Sequence, residues 1–304
     1  TLEHAALSRT LKPIGTPCSA ICNLQSTIVN GIIPKRECGP RSHRTRSHPL
    51  SVIAIDEVRT WAAEAGHVAR SYFNRVAPER KADRSPVTQA DREIEIMLRE
   101  RIAARYPDHD IIGEEQGGIS TDHEFVWCLD PIDGTAAFIA GLPTWGVSIG
   151  ILRYGQPYLG VIFLPLIEDC YWAYAAGQAF RNDEPIHVST VERIDSQDWM
   201  AVSSYAHRQF KLDFPGKIRS LSSVAADCCY VARGSAVGAM IGRANLWDLA
   251  AGLSLLQAAG AVTIGLSGAP LEVPPLVTQS KLSEPIIIGP PHLIPKLRSY
   301  ISRR

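Results

Sequence analysis

Trp127-Cys128-Leu129-Asp130-Pro131-Ile132-Asp133-Gly134-Thr135 is the stretch on which the reading of this chain turns. Phe125 to Leu129 form an apolar run that suits a buried strand, so Asp130 emerges where the strand stops. Pro131 offers the ladder no N–H and fixes φ, which turns the chain. Asp133 returns toward the same side, and Gly134 supplies the dihedral freedom a tight turn needs. Thr135 opens the next segment, Ala136 to Ala140, with its amide and hydroxyl where a helix start attracts an anion. Three readings fit this stretch taken alone. One is a solvated turn, since Asp-Pro and Asp-Gly are common turn pairs. Another is an aspartyl-phosphate loop, although D-x-x-D is out of register with the D-x-D-x-T of such enzymes. The third is a pair of metal ligands in a hydrolase.

The chain has 304 residues, enough for one large or two modest domains. Its 31 basic and 31 acidic residues cancel, so no overall field recruits nucleic acid or a membrane, and neither is expected as a partner. No apolar run is long enough for a transmembrane helix. Seven Cys in a chain this long do not make a disulfide scaffold. Cys128, Cys170, Cys228 and Cys229 lie in apolar runs and read as reduced core residues, which points to a reducing compartment such as the cytoplasm.

Residues 1–50 stand apart, with seven Lys/Arg against two acids, Glu3 and Glu37, and little periodicity. An organelle transit segment, a fragment or gene-start boundary and a disordered tail all fit that composition. We set this segment aside as a disordered or non-native extension; an organelle is the alternative location if it is a transit segment. Its Cys18, Cys22, Cys38, His43 and His48 match no zinc-ligand spacing.

Beyond it, helical spacing runs from about Ile53 to Tyr72 through Ile55, Val58, Ala62, Ala65, Ala69 and Tyr72. A second helix is expected from Thr88 to Arg105, with Ile94 and Leu98 on its buried face and Asp91 on that same face. An acid there is either a satisfied structural group or part of a site, because an unpaired buried charge is costly. Ile111-Ile112-Gly113-Glu114-Glu115 is an apolar step ending in two acids. Trp145 to Leu152, Tyr158 to Leu164 and Cys170 to Ala175 read as an antiparallel meander, and Pro185 to Val188 ends this half. In the second half Trp199 to Ser203 suits a strand and Ser223 to Ile241 a small-residue-rich helical region. There Gly234, Gly238 and Gly242 recur every four residues. A clear helix opens at Asn245-Leu246-Trp247-Asp248, with Leu246, Leu249, Ala250, Leu253 and Leu256 as its stripe and Gly260 as its stop. Asp248 falls in the first turn, where a helix dipole favours a negative charge, so capping alone accounts for it.

Glu114, Asp130, Asp133 and Asp248 each end or start an apolar element, and hard oxygen donors of this kind suit Mg²⁺ or Mn²⁺. Gly113-Glu114-Glu115, Asp130-Pro131-Ile132-Asp133-Gly134-Thr135 and Trp247-Asp248-Leu249-Ala250-Ala251-Gly252, with Val87-Thr88-Gln89-Ala90-Asp91, match in order the signature blocks of the inositol monophosphatase family. The resemblance covers about residues 53 to 300. It implies an α/β (α+β) chain: a layered αβαβα sandwich of the inositol monophosphatase/fructose-1,6-bisphosphatase type. The two halves would be 51–188, carrying most of the metal site, and 189–304, contributing Asp248. It implies Mg²⁺-dependent hydrolysis of a small phosphorylated alcohol by metal-activated water, with no covalent phosphoenzyme. By the same match, Glu114, Asp130, Asp133, Asp248 and the carbonyl of Ile132 are metal ligands. Thr135, paired with Asp91 and assisted by Glu114, orients and deprotonates the water. Gly134, Thr135, Asp248 and Lys81 meet the phosphate or substrate. A homodimer is implied as well.

Two departures matter, the first for substrate and the second for packing. Ile241-Gly242-Arg243-Ala244-Asn245 lacks the acid that meets sugar hydroxyls in inositol-specific members, and Ala258-Ala259-Gly260-Ala261 stands where Glu-Ala-Gly-Gly is usual. Lys81-Ala82-Asp83-Arg84-Ser85-Pro86-Val87-Thr88 and Phe138-Ile139-Ala140-Gly141-Leu142-Pro143 are closer to the histidinol-phosphate phosphatase branch. A 3′(2′),5′-bisphosphate nucleotidase and a catalytically silent scaffold relative are the alternatives.

Overall fold

The computed structural model of the chain describes residues 53–82, 85–118, 123–279 and 281–304. The extension at 1–50, with its cysteines and histidines, and loop residues Asp83 and Arg84 lie outside the described residues. Helix α1 is Ile55–Tyr72 and α2 is Gln89–Arg105. The expected stripe of α1 is buried at Val58, Ala62, Ala65 and Ala69, joined by Trp61. Thr88 starts α2 in a capping box with Asp91, which satisfies backbone donors that no helical carbonyl can reach.

Both helices pack on one face of a seven-stranded sheet, burying Ile94, Leu98 and Ile102 against Trp127, Leu129, Ile149 and Val161. Its strands, in spatial as well as chain order, are β1 (Asp110–Gly113), β2 (Phe125–Asp133), β3 (Gly146–Arg153), β4 (Gln156–Leu164), β5 (Asp169–Tyr174), β6 (Ala179–Arg181) and β7 (Glu184–Ile186). β1 runs parallel to β2, and every later pairing is antiparallel, which extends the expected meander. The last two strands lie in a segment without apolar alternation; β7 runs through Pro185, which suits a sheet edge. All of β2 is buried because helices cover both faces, so its sequence reads as a continuous apolar run. After Thr135–Ile139, the short helix α3, the chain joins this meander.

The second sheet contains β8 (Trp199–Val202), β9 (Lys217–Arg219), β10 (Gly238–Ile241), β11 (Val262–Gly265) and β12 (Ile286–Gly289), in the spatial order β9-β8-β10-β12-β11. β9, β8 and β10 are parallel, and β12 is antiparallel to both its neighbours. Helices α4 (Val224–Ala232) and α5 (Leu246–Ala258) fill the space between the sheets, and α6 (Ile294–Ser299) covers the outer face of the second. The layers are therefore αβαβα. The region expected to be helical from Ser223 to Ile241 is instead helix, turn and strand. Gly234 turns the chain at φ +72°, and Gly238 lies in β10 because a side chain there would strike Leu297. A four-residue glycine spacing does not distinguish a helix face from a turn followed by a strand.

α5 is buried on more than its expected stripe, with Ala251, Gly252, Ser254 and Leu255 also inside. Gly150 and Gly160 are cross-strand partners on β3 and β4, and a Cβ on either would fall inside the backbone of Ala251. On the helix's other side, a Cβ on Gly252 would lie 2.6 Å from Cys228 Sγ. Backbone thus meets backbone where α5 crosses the sheet. Gly160→Ala is expected to destabilise the protein by about 3 kcal/mol, read from urea denaturation. Gly242→Ala, where the nearest atom is 3.8 Å away, should stay close to wild type.

Candidate active site

Pro131 sets the corner. β2 and β3 pair Asp130 with Ser148 and then Asp133 with Gly146, so three steps on one strand oppose two on the other. This bulge returns Asp133 to the side of Asp130, as the missing proline donor requires. Gly134 follows at φ +93°, and a Cβ there would meet Ser222 O and Ser223 Cβ at 3.0 Å. Asp130 and Asp133 are 2% and 4% exposed. Asp248 arrives from α5, and one carboxylate oxygen from each of the three lies within 4.8 Å of the others.

Each acid is tied down differently. Asp133 Oδ2 accepts from Ser223 Oγ and from Ala225 N–H at 2.8 Å. Asp248 Oδ2 accepts from Asn245 N–H at 2.7 Å, so it caps its helix as expected and joins the cluster too. Asp130 Oδ1 is buried with no protein partner. Burial, then the charge of Glu114, pushes Asp130 well above the usual carboxylate range. Asp248 is raised in the same way, by burial and then by Asp133. Asp133 rises to about 6 through burial, against the opposing bonds from Ser223 and Ala225.

Glu114 stands beside the triad, near enough for its charge to raise all three aspartates. Its N–H donates to Leu129 O at 3.1 Å, next to Asp130 in the chain. Lys81 Nζ bridges Glu114 Oε1 at 2.8 Å and Glu115 Oε1 at 2.7 Å. Burial alone would lower the Lys81 pKa, but these two carboxylates raise it. Burial lifts Glu115 to about 7 despite Lys81. The lysine matched to a phosphate-attracting position is thus a counter-ion of the glutamate pair.

Asp91 is fully buried and rises to about 6 through burial, opposed by Thr88 and assisted by the charge of Glu114. The expected pairing of Asp91 with Thr135 is not formed. Asp91 Oδ2 takes the Thr88 N–H and hydroxyl at 2.8 and 2.6 Å, while Thr135 Oγ1 donates to Ile132 O at 3.1 Å. Helix capping claims the first group and the tight turn the second. Asp91 Oδ1 remains buried without a partner.

Three features escaped the sequence reading. Ser223, the N-cap of α4, orients Asp133, a partner from another layer that its place at a helix start does not reveal. Asp227, in the first turn of α4, is buried with Oδ1 unpartnered and raised well above its usual value by burial and then by Asp133. The hydroxyls of Ser204, Ser220 and Ser222 meet at 2.8 and 3.1 Å beyond the C-terminal ends of β8 and β9, close to the Gly134 turn. A rise in serine from 203 to 223 was the only available signal.

This arrangement, an all-oxygen donor set with a buried, unsatisfied carboxylate oxygen, fits a hard divalent cation. The family model of the inositol monophosphatase family matches residues 51–291. The chain belongs to that family. Its members are phosphoric monoester hydrolases, so the chain is placed among phosphatases. It is 31% identical over 248 residues to a fructose-1,6-bisphosphatase/inositol-1-monophosphatase of Aquifex aeolicus, covering 77% of this chain and 93% of that one. It is 32% identical over 213 residues to a histidinol-phosphatase of Chlorobaculum parvum, covering 66% and 80%. Among solved structures, an IMPase of Thermotoga maritima superposes with a TM-score of 0.71 at 27% identity, covering 81% of this chain and 95% of that one.

The raised aspartates set a pH dependence. A folded-state pKa above the unfolded one means that the native state binds protons more tightly, so this stabilisation is present in acid. It is lost as pH rises from about 4 through the folded values near 6 for Asp91 and Asp133. Chelator-treated protein should therefore melt lower at pH 7.5 than at pH 5.5, by about 5 °C, and Mg²⁺ should restore the difference at pH 7.5. Asp133→Asn should raise the chelated melting temperature at pH 7.5 and remove most of the Mg²⁺ increment. Calorimetric scans of both proteins check this.

Proposed function

We propose that this protein is a Mg²⁺-dependent phosphatase acting on a small phosphate monoester, with Mn²⁺ as the alternative ion. The observation that carries the reading is the convergence of Asp130, Asp133 and Asp248 within 4.8 Å, with Glu114 alongside. These four side chains and the carbonyl of Ile132 would hold the metal. The half at 51–188 provides all but Asp248, which comes from 189–304. When bound, the metal supplies a nucleophilic water at neutral pH and neutralises charge on the leaving oxygen.

The protein's own groups do the rest. Gly134 and Thr135 present amides to the phosphate at the start of α3, and Lys81 adds a positive charge from the loop facing Glu114. Thr135 Oγ, Glu114 and Asp91 orient the attacking water, with the unpartnered Asp91 Oδ1 as the atom suited to take its proton. A carboxyl with a pKa near 6 is well matched to that task at neutral pH. Asp248 also faces the substrate.

For the alcohol, inositol phosphate and histidinol phosphate are the leading substrates. The loops at 81–88 and 138–143 favour the second, and the lack of an acid from 241 to 245 counts against inositol phosphate. A 3′,5′-bisphosphate nucleotidase shares the mechanism and differs in the leaving group. A silent scaffold would have no need to keep three acids facing one another, two of them buried. A homodimer is proposed from family membership, and a cytoplasmic location from the free thiols of Cys128, Cys170, Cys228 and Cys229. No helix among the described residues is long and apolar enough to cross a membrane.

Purified protein with Mg²⁺ should release phosphate from at least one of inositol 1-phosphate, histidinol phosphate and adenosine 3′,5′-bisphosphate. Asp133→Asn should lower kcat by about 10³-fold, since a lost ligand removes several kcal/mol of charge stabilisation. No release from a broad monoester panel, or undiminished turnover by the variant, would sink the proposal.

A further inference from the structure

The turn that carries Glu114 is held from behind by another carboxylate. Glu95 lies on α2 four residues after Asp91, on the same face, and is fully buried. Its Oε2 accepts the Glu115 N–H at 2.7 Å, and its Oε1 accepts the Gln116 N–H at 3.0 Å and Arg99 Nε at 2.8 Å. Arg99 Nη2 donates to Gly117 O. The Gly113 N–H reaches Gly117 O at 3.0 Å, and the Glu114 N–H reaches Leu129 O at 3.1 Å. Every amide from Gly113 to Gln116 therefore has a fixed acceptor. Gly113 has no side chain because a Cβ there would collide with Glu95 Oε1.

We infer that Glu95, braced by Arg99, is a positioning residue that holds Glu114 in place for the cation; this rests on the metal-dependent reading above. Repulsion gives the clamp its purpose. Glu114 faces Asp130, Asp133 and Asp248 at a range where its charge raises their pKa values, and Lys81 pulls it toward the loop side. Unrestrained, the turn would swing Glu114 away from the three aspartates. Glu95 opposes that swing through the backbone and leaves the Glu114 carboxylate free to serve as a ligand. The role needs a carboxylate, because only two acceptor oxygens can serve three N–H donors. A glutamine would turn its own NH₂ against one of them.

The test uses the full chain, stripped of metal, as wild type, Glu95→Gln, Arg99→Met and Asp133→Asn. Calorimetric titration with Mg²⁺ should show about tenfold weaker binding for Glu95→Gln, the usual consequence of losing a partner behind a ligand. In the metal-free protein the Glu115 and Gln116 amides should exchange hydrogen faster, while those of α5 do not. In phosphate release, the half-saturating Mg²⁺ should rise about tenfold, with a much smaller change in kcat at saturation. If Glu95→Gln does not fold, Arg99→Met is read in its place, with weaker Mg²⁺ binding expected. An unchanged Mg²⁺ titration in whichever folded variant is read overturns the inference. If wild type takes up no Mg²⁺, or Asp133→Asn binds it as tightly as wild type, the metal-dependent reading fails instead.

Discussion

Like charges crowded out of water are the constraint around which this molecule is built. Asp130, Asp133 and Asp248 bring oxygens within 4.8 Å of one another, Glu114 adds its field, and Asp91 and Asp227 lie close enough to feel it. Removing carboxylates from water is costly, and their mutual repulsion grows as the surrounding dielectric falls. Among the described residues Lys81 is the cation in direct contact, and it reaches the two glutamates. The chain instead spends hydrogen bonds on these acids: an N-cap hydroxyl and amide for Asp91, an amide for Asp248, a hydroxyl and an amide for Asp133. Those bonds lower each group's pKa without overcoming burial. A divalent cation held by these oxygens would offset that repulsion.

Holding such groups together takes a stiff frame, and the glycines of the seven-stranded sheet provide it. Asp248 precedes Ala251 by one helical turn, and Ala251 rests on the Gly150–Gly160 pair. Gly150 is two residues from Ser148, whose cross-strand partner is Asp130 and whose hydroxyl lies 3.5 Å from Trp247 O. The separation of Asp130 and Asp248 is thus set by backbone contacts rather than by long side chains. That accounts for small residues packed on both sides of α5, where larger ones would have buried more apolar surface.

Local signals made the Asp130 corner legible from the sequence alone. A strand-ending acid, a proline without a donor and a glycine at positive φ specify their geometry within a few residues. The order of layers followed from the family blocks, while periodicity gave the first two helices and the meander. Glu95 was not legible, because a glutamate among Arg92, Glu93 and Arg99 reads as part of a solvated helix face. Its burial depends on a turn some twenty residues away in sequence. Asp227 escaped for the same reason: its neighbour Asp133 comes from another layer. The two strands after β5 were missed because they add hydrogen bonds at a sheet edge without adding a pattern of apolar residues.

Capping was the plain explanation for Asp248 and a satisfied structural role the one for Asp91, and the structure shows that a cap leaves either acid room for a second role. Both residues are the third of their helix, and both give Oδ2 to the capping backbone. A carboxylate has two oxygens, so a cap consumes one and fixes the direction of the other. An acid without a cap would be free to rotate away from its neighbours, and repulsion would favour that rotation. The cap is therefore what allows an aspartate to remain beside other aspartates while still offering an oxygen outward. The same logic extends to Asp133, where Ser223 and Ala225 supply from α4 what Thr88 and Asn245 supply from their own helices. Read in this way, the helix starts at Thr88, Ser223 and Asn245 are parts of the site, and their ordinary stabilising role is the means by which they serve it.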